Sequence, residues 1–186
     1  MINEKQNIKI SKFLSLVLRH KPETIQIQLD DNGWVSVSEL IEKMNNNGNE
    51  IDLEVLKYVV KTNSKKRFAF NDDKTKIRAS QGHSLQIDLK YKSINPPDKL
   101  YHGTSERFLD SILKNGIEKR NRQHVHLSSD FETALKVGQR HGKPVILEIQ
   151  TEMMKKDGHK FYLSENKVWL TDYVPNEYIK YKKSNG

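Results

Sequence analysis

Four sets of basic and polar side chains in this 186-residue sequence have the types and spacing needed to bind or transfer phosphate groups. The first is the adjacent pair Arg19 and His20, and the second is Arg67. The others are the stretches YHGT at residues 101–104 and RQHVHLS at residues 122–128. Guanidinium groups bind phosphate oxygens in pairs and stay charged, whereas histidine exchanges protons near neutral pH. These residue types together indicate phosphate chemistry.

The histidines of the last two sets allow further interpretations. His124 and His126 alternate along a predicted strand and would share a face, but no cysteine or carboxylate cluster accompanies them, so a zinc site is disfavoured. Two H-x-[ST] stretches begin at His102 and at His126. Such pairs are typical of two-histidine phosphoesterases, which cleave phosphodiesters by acid–base chemistry. YHGT before a helix can also present backbone amides to an anion.

The elements that must position the first two sets are three helices and a hairpin. The first helix should end at Pro22, which places Arg19 and His20 in its last turn, where the helix dipole favours cations. Ser36 and Asp52 are the predicted caps of the second and third helices. Two short alternating segments around an Asn-Asp-Asp turn then predict a basic hairpin, which begins near Arg67. Apolar residues at helical spacing give the first helix its buried face: Ile10, Phe13, Leu14, Val17 and Leu18.

The second half of the chain has a different pattern. Residues 85–99, which end in a double proline, are interpreted as a linker between an N-terminal lobe at 1–84 and a C-terminal lobe at 100–186. The C-terminal lobe should contain at least five short strands and two helices, the first capped after YHGT and the second running from Asp130 to Gly142. Three helices followed by a hairpin is the order of a winged helix. We therefore predict an α+β protein.

Composition narrows the class of partner. Lysine and arginine number 32 against 24 acidic residues, a formal net charge of +8 that favours a polyanion such as nucleic acid. The absence of cysteine excludes disulfides and thiolate metal sites, and fits a cytoplasmic protein. There is no apolar run of membrane-spanning length and no signal-peptide pattern at the N-terminus, so no membrane association is expected. Nothing indicates a dimer seam, and a monomer is expected.

Several longer blocks occur together and in a fixed order, and they resemble the NAD-dependent RNA 2′-phosphotransferase family. The blocks span about residues 10–172: SKFLSLVLRHKPE, DNGWVSVSELI, KKRFAF, IRASQGHS, LYHGTSERFLDSILKNGI, RQHVHLS and ENKVWLT. The family is named for removing the splice-junction 2′-phosphate from tRNA. The resemblance implies an N-terminal winged-helix lobe that helps to bind RNA. It also implies a C-terminal lobe similar to ADP-ribosyltransferases, which holds NAD as a co-substrate without a metal.

The resemblance also implies roles for individual residues. The family's catalytic set falls on Arg19, His20, Arg67 and Arg122 of this sequence. Contacts to NAD are expected at Tyr101, His102, Gly103, Thr104, His126, Ser128 and Val168, although His126 could instead be structural. Lys66 and His83 are candidates for contact with RNA or phosphate. Many ADP-ribosyltransferases have a glutamate at the position of Val168, and Glu165 lies close by in the sequence.

The implied reaction has two steps. The RNA 2′-phosphate displaces nicotinamide to give an RNA-2′-phospho-ADP-ribose intermediate, and a ribose hydroxyl then releases 2′-hydroxyl RNA and ADP-ribose 1″,2″-cyclic phosphate. Because a phosphate monoester is largely deprotonated at pH 7, it needs no general base, which is consistent with an apolar residue at position 168. The alternatives are a two-histidine phosphoesterase, a non-catalytic winged-helix binder and a protein ADP-ribosyltransferase, the last disfavoured by Val168.

Overall fold

The first helix of the computed structural model, which describes residues 2–181, has the buried apolar face that its sequence predicts. α1 spans Glu4–Arg19, and Asn3 caps it by accepting a hydrogen bond from the Gln6 amide. Leu14, Val17 and Leu18 on its inner face are fully buried. A 3₁₀ turn at Pro22–Ile25 follows directly, so Pro22 ends the helix as predicted. The chain divides into two compact units, Met1–Lys90 and Tyr91–Gly186.

The first unit combines three helices with a small antiparallel sheet. After α1 come β1 (Val35–Ser36), α2 (Val37–Asn46), α3 (Leu53–Thr62), β2 (Phe68–Phe70) and β3 (Lys76–Ala79). The sheet order is β1-β3-β2, and β2 and β3 form the predicted hairpin, with Phe68 opposite Ala79. Ser36 and Asp52 accept hydrogen bonds from the amides of Glu39 and Val55, which confirms both predicted caps. Residues from all these elements form one hydrophobic core.

The second unit contains three helices and several small antiparallel sheets. Its helices are α4 (Glu106–Asn115), α5 (Phe131–Gly138) and α6 (Thr151–Lys156). Its strands are β4 (Leu100–Ser105), β5 (Ile117–Glu118), β6 (Val125–Leu127), β7 (Pro144–Ile149), β8 (Tyr162–Leu163), β9 (Trp169–Thr171), β10 (Tyr173–Val174) and β11 (Ile179–Lys180). The sheets run β11-β7-β4, β6-β9-β8 and β10-β5. All strand pairs among the described residues are antiparallel, and the two units together are of the predicted α+β class.

Two helix ends in the second unit differ from expectation. Ser105 occupies the N-cap position of α4, but its hydroxyl makes no capping hydrogen bond, and the Glu106 amide instead donates to the Lys143 carbonyl at 3.1 Å. α5 begins at the predicted cap Asp130 but ends at Gly138, after which a 3₁₀ turn continues to His141. Gly142 ends that turn rather than the α-helix. Residues 85–99 contain no helix or strand, and no helix within residues 2–181 is long and apolar enough to cross a membrane.

Candidate active site

The end of α1 presents the Arg19–His20 pair to a loop of the same unit. The His20 and Lys21 amides both donate to the Leu16 carbonyl at 2.9 Å, which closes the helix at this point. Arg19 is half-buried and His20 is exposed. Because the last carbonyls of a helix carry partial negative charge, two cationic side chains are favourable here. An anion at this end would be bound by the two side chains and not by the helix, whose last carbonyls repel it.

Arg67 is joined to Arg19 through its backbone. The Arg19 guanidinium donates from Nη2 to the Arg67 carbonyl at 3.3 Å, and the Ser80 amide donates to the same oxygen at 2.8 Å. The Arg67 amide in turn donates to the Asn63 side chain at 3.2 Å. Lys66 is exposed, with φ +42°, and its carbonyl accepts from the Ser80 hydroxyl. The structure thus brings the predicted residues Arg19 and Arg67 together within the first unit.

The loop after β3 holds His20 in place. The Ser84 amide donates to the Arg19 carbonyl at 3.0 Å, and the Ser84 hydroxyl lies 3.0 Å from His20 Nδ1. This contact engages Nδ1 of the ring. A hydrogen bond at one nitrogen fixes the orientation of the ring, but a hydroxyl can donate or accept and so does not set the tautomer. Ser84 is therefore a positioning residue that sequence reasoning missed, although it ends the quoted block IRASQGHS.

His83, a predicted RNA or phosphate contact, is buried rather than displayed on a loop. Its side chain is 1% exposed, and neither ring nitrogen has a hydrogen-bond partner among residues 2–181. Burial lowers the pKa of His83 to about 4, and the nearby charges of Arg19, His20 and Arg78 act in the same direction. His83 is consequently neutral at pH 7, and it lies near the side chains of Arg19 and His20.

Arg78 is a second residue that sequence reasoning missed, since it was grouped with the basic residues of the hairpin. Its guanidinium lies 4.4 Å from the centre of the Trp34 ring. Trp34 is held by the turn before β1, where its amide donates to the Asp30 carboxylate at 2.9 Å. Gly33 of that turn packs against His83, since a Cβ there would lie 3.5 Å from His83 Nε2. The DDNGW turn thus contacts Arg78 through Trp34 and His83 through Gly33.

In the second unit, Arg122 contacts His126. The Arg122 Nη1 lies 3.0 Å from His126 Nδ1, and His126 is the central residue of β6, opposite Leu170 of β9. A turn places Arg122, since its amide donates to the Lys119 carbonyl at 3.0 Å. Desolvation lowers the pKa of Arg122, but an arginine remains charged at any working pH. This pair is a second cationic cluster.

His102 completes the second cluster from β4. Its Nδ1 lies 3.1 Å from the His126 carbonyl oxygen. The His102 side chain therefore contacts the backbone of His126. Burial lowers the pKa of His102, and the charges of Arg122 and His141 lower it further, whereas the contact with the His126 carbonyl opposes them. His102 is neutral at pH 7. The predicted residues His102, Arg122 and His126 thus lie together.

The other predicted contact residues of YHGT and of the second H-x-[ST] stretch also have structural contacts. Tyr101 and Ser128 exchange backbone hydrogen bonds of 2.8 and 2.9 Å, which joins β4 to the end of β6. Thr104 is 5% exposed. A Cβ on Gly103 would lie 1.8 Å from the Ala134 carbonyl oxygen, so the glycine is required for α5 to pack on β4. Packing against α5 is thus enough to explain the glycine at position 103, independently of any ligand that β4 contacts.

Val168 lies at the end of a tight turn before β9. Its amide donates to the Ser164 hydroxyl at 2.9 Å, and its carbonyl accepts from the Ser164 amide at 3.0 Å. Val168 is half-buried, whereas Glu165 is exposed on the same turn.

His124, which precedes β6, lies 3.9 Å from the exposed carboxylate of Asp172, which follows β9. The described residues include no group of three or more histidine and carboxylate side chains that could hold a metal ion.

Comparison with known proteins gives these two clusters a context. The model of the RNA 2′-phosphotransferase, Tpt1 / KptA family matches residues 5–173. The chain belongs to this family. It is 58% identical over 176 residues to a probable RNA 2′-phosphotransferase of Fusobacterium nucleatum subsp. nucleatum, covering 94% of this chain and 98% of the relative. It is 59% identical over 181 residues to the protein of the same name from Flavobacterium johnsoniae, covering 97% of this chain and all of the relative. The predicted family resemblance is confirmed.

Membership of a transferase family gives both clusters a chemical interpretation. Each cluster places an arginine beside a neutral histidine: the buried His83 beside Arg19 in the first unit and the half-buried His102 beside Arg122 in the second. Neutral histidines stabilise the packing of a cationic site without adding to its charge repulsion. The structure adds Ser84 and Arg78 to the predicted residues. Ser84 lies in the quoted QGHS stretch, whereas Arg78 lies on the face of β3 opposite the buried Ile77 and Ala79.

Proposed function

We propose that this protein transfers an internal 2′-phosphate from RNA to NAD, with release of nicotinamide, 2′-hydroxyl RNA and ADP-ribose 1″,2″-cyclic phosphate. The observation that carries the proposal is the family match over residues 5–173. The two arginine and histidine clusters support it, because their donors suit a phosphate dianion. The substrate class is RNA that bears a 2′-phosphate, such as spliced tRNA. The proposed site of action is the cytoplasm, and the proposed active form is a monomer.

The order of elements in the first unit supports a winged-helix RNA-binding lobe. Three helices share a core with a β1-β3-β2 sheet whose hairpin is rich in basic residues. Within the proposed reaction, Arg19 and Arg67 hold the oxygens of the 2′-phosphate and stabilise charge as it moves to the leaving oxygen. His20, oriented by Ser84, donates a hydrogen bond or a proton through Nε2. Arg122 is the proposed fourth member of this catalytic set.

The second unit is the proposed NAD-binding lobe, similar to ADP-ribosyltransferases. When bound, NAD supplies an electrophilic anomeric carbon with nicotinamide as the leaving group. The second cluster offers a contact for such a nucleotide, because the neutral His102 ring donates from Nδ1 to the His126 carbonyl and can accept a hydrogen bond from a ribose hydroxyl at Nε2. Tyr101, Gly103, Thr104, Ser128 and Val168 are proposed as further contacts, in addition to the packing they provide. The half-buried side chain of Val168 is an apolar surface for the nicotinamide riboside.

The experiment is a reaction of the protein with an RNA oligonucleotide that carries one internal 2′-phosphate, with and without NAD, followed by mass analysis. We expect NAD-dependent loss of the phosphate together with ADP-ribose cyclic phosphate. Loss of phosphate without NAD would favour the two-histidine phosphoesterase instead. Binding without any product from folded protein would refute the proposal and leave a non-catalytic binder.

Substitution of the arginines gives a second test of the same proposal. Arg19→Ala and Arg67→Ala should each lower the rate by about 10²–10³, as loss of one transition-state donor does elsewhere. The matched control is Arg140→Ala, which removes an exposed arginine outside both clusters. A rate that falls equally in all three variants would contradict the assigned roles, since net charge alone would then explain it.

A further inference from the structure

Two arginines of the second unit stack on the same aromatic ring. The guanidinium carbon of Arg107, in the first turn of α4, lies 4.5 Å from the centre of the Phe108 ring. The guanidinium carbon of Arg120, in the turn after β5, lies 4.9 Å from the same centre. Phe108 packs against the hydrophobic core, so the ring is a fixed platform. We call these three residues the arginine platform.

The arginines of the platform are exposed and are not engaged in salt bridges within residues 2–181. The adjacent Glu106 instead pairs with Lys143 at 2.7 Å. Two positive groups held against one ring repel each other, and an anion between or beside them would relieve this repulsion. Stacking also orders the guanidinium forks before a ligand arrives, which lowers the cost of binding a phosphate.

The backbone connects the arginine platform to Arg122. Arg120 and Arg122 belong to one turn, closed by the hydrogen bond from the Arg122 amide to the Lys119 carbonyl at 3.0 Å. Arg120 has φ +50° in this turn. The turn sends one guanidinium to His126 and the other to Phe108. A ligand held by Arg122 therefore has a second cationic site two residues away along the chain.

We propose that the arginine platform binds backbone phosphodiesters of the RNA strand next to the nucleotide that carries the 2′-phosphate. This inference rests on the proposed function, in which Arg122 acts on the 2′-phosphate. An exposed platform suits a strand that continues beyond the reacting nucleotide, whereas a small co-substrate such as NAD is normally enclosed in a pocket. Guanidinium groups stacked on a ring can also contact bases, but two exposed positive charges favour phosphate.

The test uses two substrates that carry one 2′-phosphate: a short RNA reduced to the mononucleotide, which has no phosphodiester, and a longer RNA with several phosphodiesters on each side. For the unaltered protein, KM should be lower for the longer RNA. The double variant Arg107→Gln, Arg120→Gln keeps side-chain stems over Phe108 but removes both charges. We expect it to raise KM for the longer RNA by roughly tenfold, with little change for the short RNA, as loss of two phosphate contacts predicts. The control is Arg140→Gln.

A binding measurement separates this inference from the proposed function. Fluorescence anisotropy with the longer RNA lacking a 2′-phosphate needs no turnover, and the salt slope of log affinity should fall by about 0.7 for each lost phosphate contact. An unchanged slope and unchanged KM would overturn the inference even if phosphotransfer is observed. A rise in KM for NAD alone would overturn it in favour of a cofactor contact. A reduced slope without any phosphotransfer would support the platform while refuting the proposed reaction.

Discussion

The buried His83 makes the stability of the first unit depend on pH. In the folded protein its pKa is about 4, against an ordinary value of 6.5. Above pH 6.5 the ring is neutral in both states, and the full stability is present. As the pH falls below 6.5, the unfolded chain takes up a proton that the folded chain refuses, so unfolding becomes more favourable. The loss levels off near pH 4, where the folded protein also becomes protonated.

The size of this effect follows from the two pKa values. One unit of pKa difference corresponds to about 1.4 kcal/mol, so the complete loss between pH 7 and pH 3 is about 3 kcal/mol. Between pH 7 and pH 5 it is about 2 kcal/mol, because only part of the titration is complete by then. That is a large fraction of the stability of an ordinary domain. Desolvation is the largest cause, and Arg19, His20 and Arg78 add to it.

Urea unfolding at pH 7 and pH 5 measures the effect. The sequence has two tryptophans, and in a Trp169→Phe background Trp34 alone reports on the first unit. His83→Phe should remove about 2 kcal/mol of the pH dependence, since phenylalanine takes up no proton in either the folded or the unfolded state. The control is His141→Gln, whose exposed side chain should leave the pH dependence unchanged. An equal pH dependence in His83→Phe and in its parent would refute the reasoning, as would an NMR titration of His83 near pH 6.5.

Two further substitutions test positioning and packing. Ser84→Ala should slow the proposed phosphotransfer about tenfold, the effect of one lost hydrogen bond of roughly 1.4 kcal/mol. It should cause no further loss in a His20→Ala background, whereas additive losses would show that the loop matters for another reason. Gly103→Ala should cost about 3 kcal/mol or more in urea unfolding, because its Cβ would lie 1.8 Å from the Ala134 carbonyl oxygen. Gly48→Ala has open space at φ +73°, and it should cost only about 1 kcal/mol; equal losses would contradict the packing argument.

Local sequence signals predicted much of the first unit. The apolar spacing in α1, the cap at Asp52 and the hairpin turn between β2 and β3 are set by neighbours a few residues apart, so they can be recognised without a structure. The second unit was harder. In one of its sheets His102 pairs with Leu147, and in another His126 pairs with Leu170. Such pairings depend on packing between distant segments, which periodicity does not reveal.

The site could be predicted only in part, for the same reason. Arg19, Arg67 and Arg122 were identified through resemblance, since no local pattern connects residues 48 positions apart such as Arg19 and Arg67. The burial of His83 depends on the DDNGW turn and on β3, and a loop histidine in a polar stretch gives no local sign of it. The sequence predicts a ligand contact at Gly103, but it gives no sign that α5 packs against this glycine. Side-chain environment, unlike helix spacing, is a tertiary property.

Arginine and histidine respond differently to burial, and this difference explains why both types occur in each cluster. Desolvation lowers the pKa of Arg122 without discharging it, because an arginine loses its proton only far above working pH. The same environment discharges His83 and His102 at neutral pH. Each cluster therefore keeps a fixed positive charge from arginine beside a neutral ring. A phosphate dianion bound beside such a ring would raise the pKa of the histidine, because the negative charge favours the protonated form.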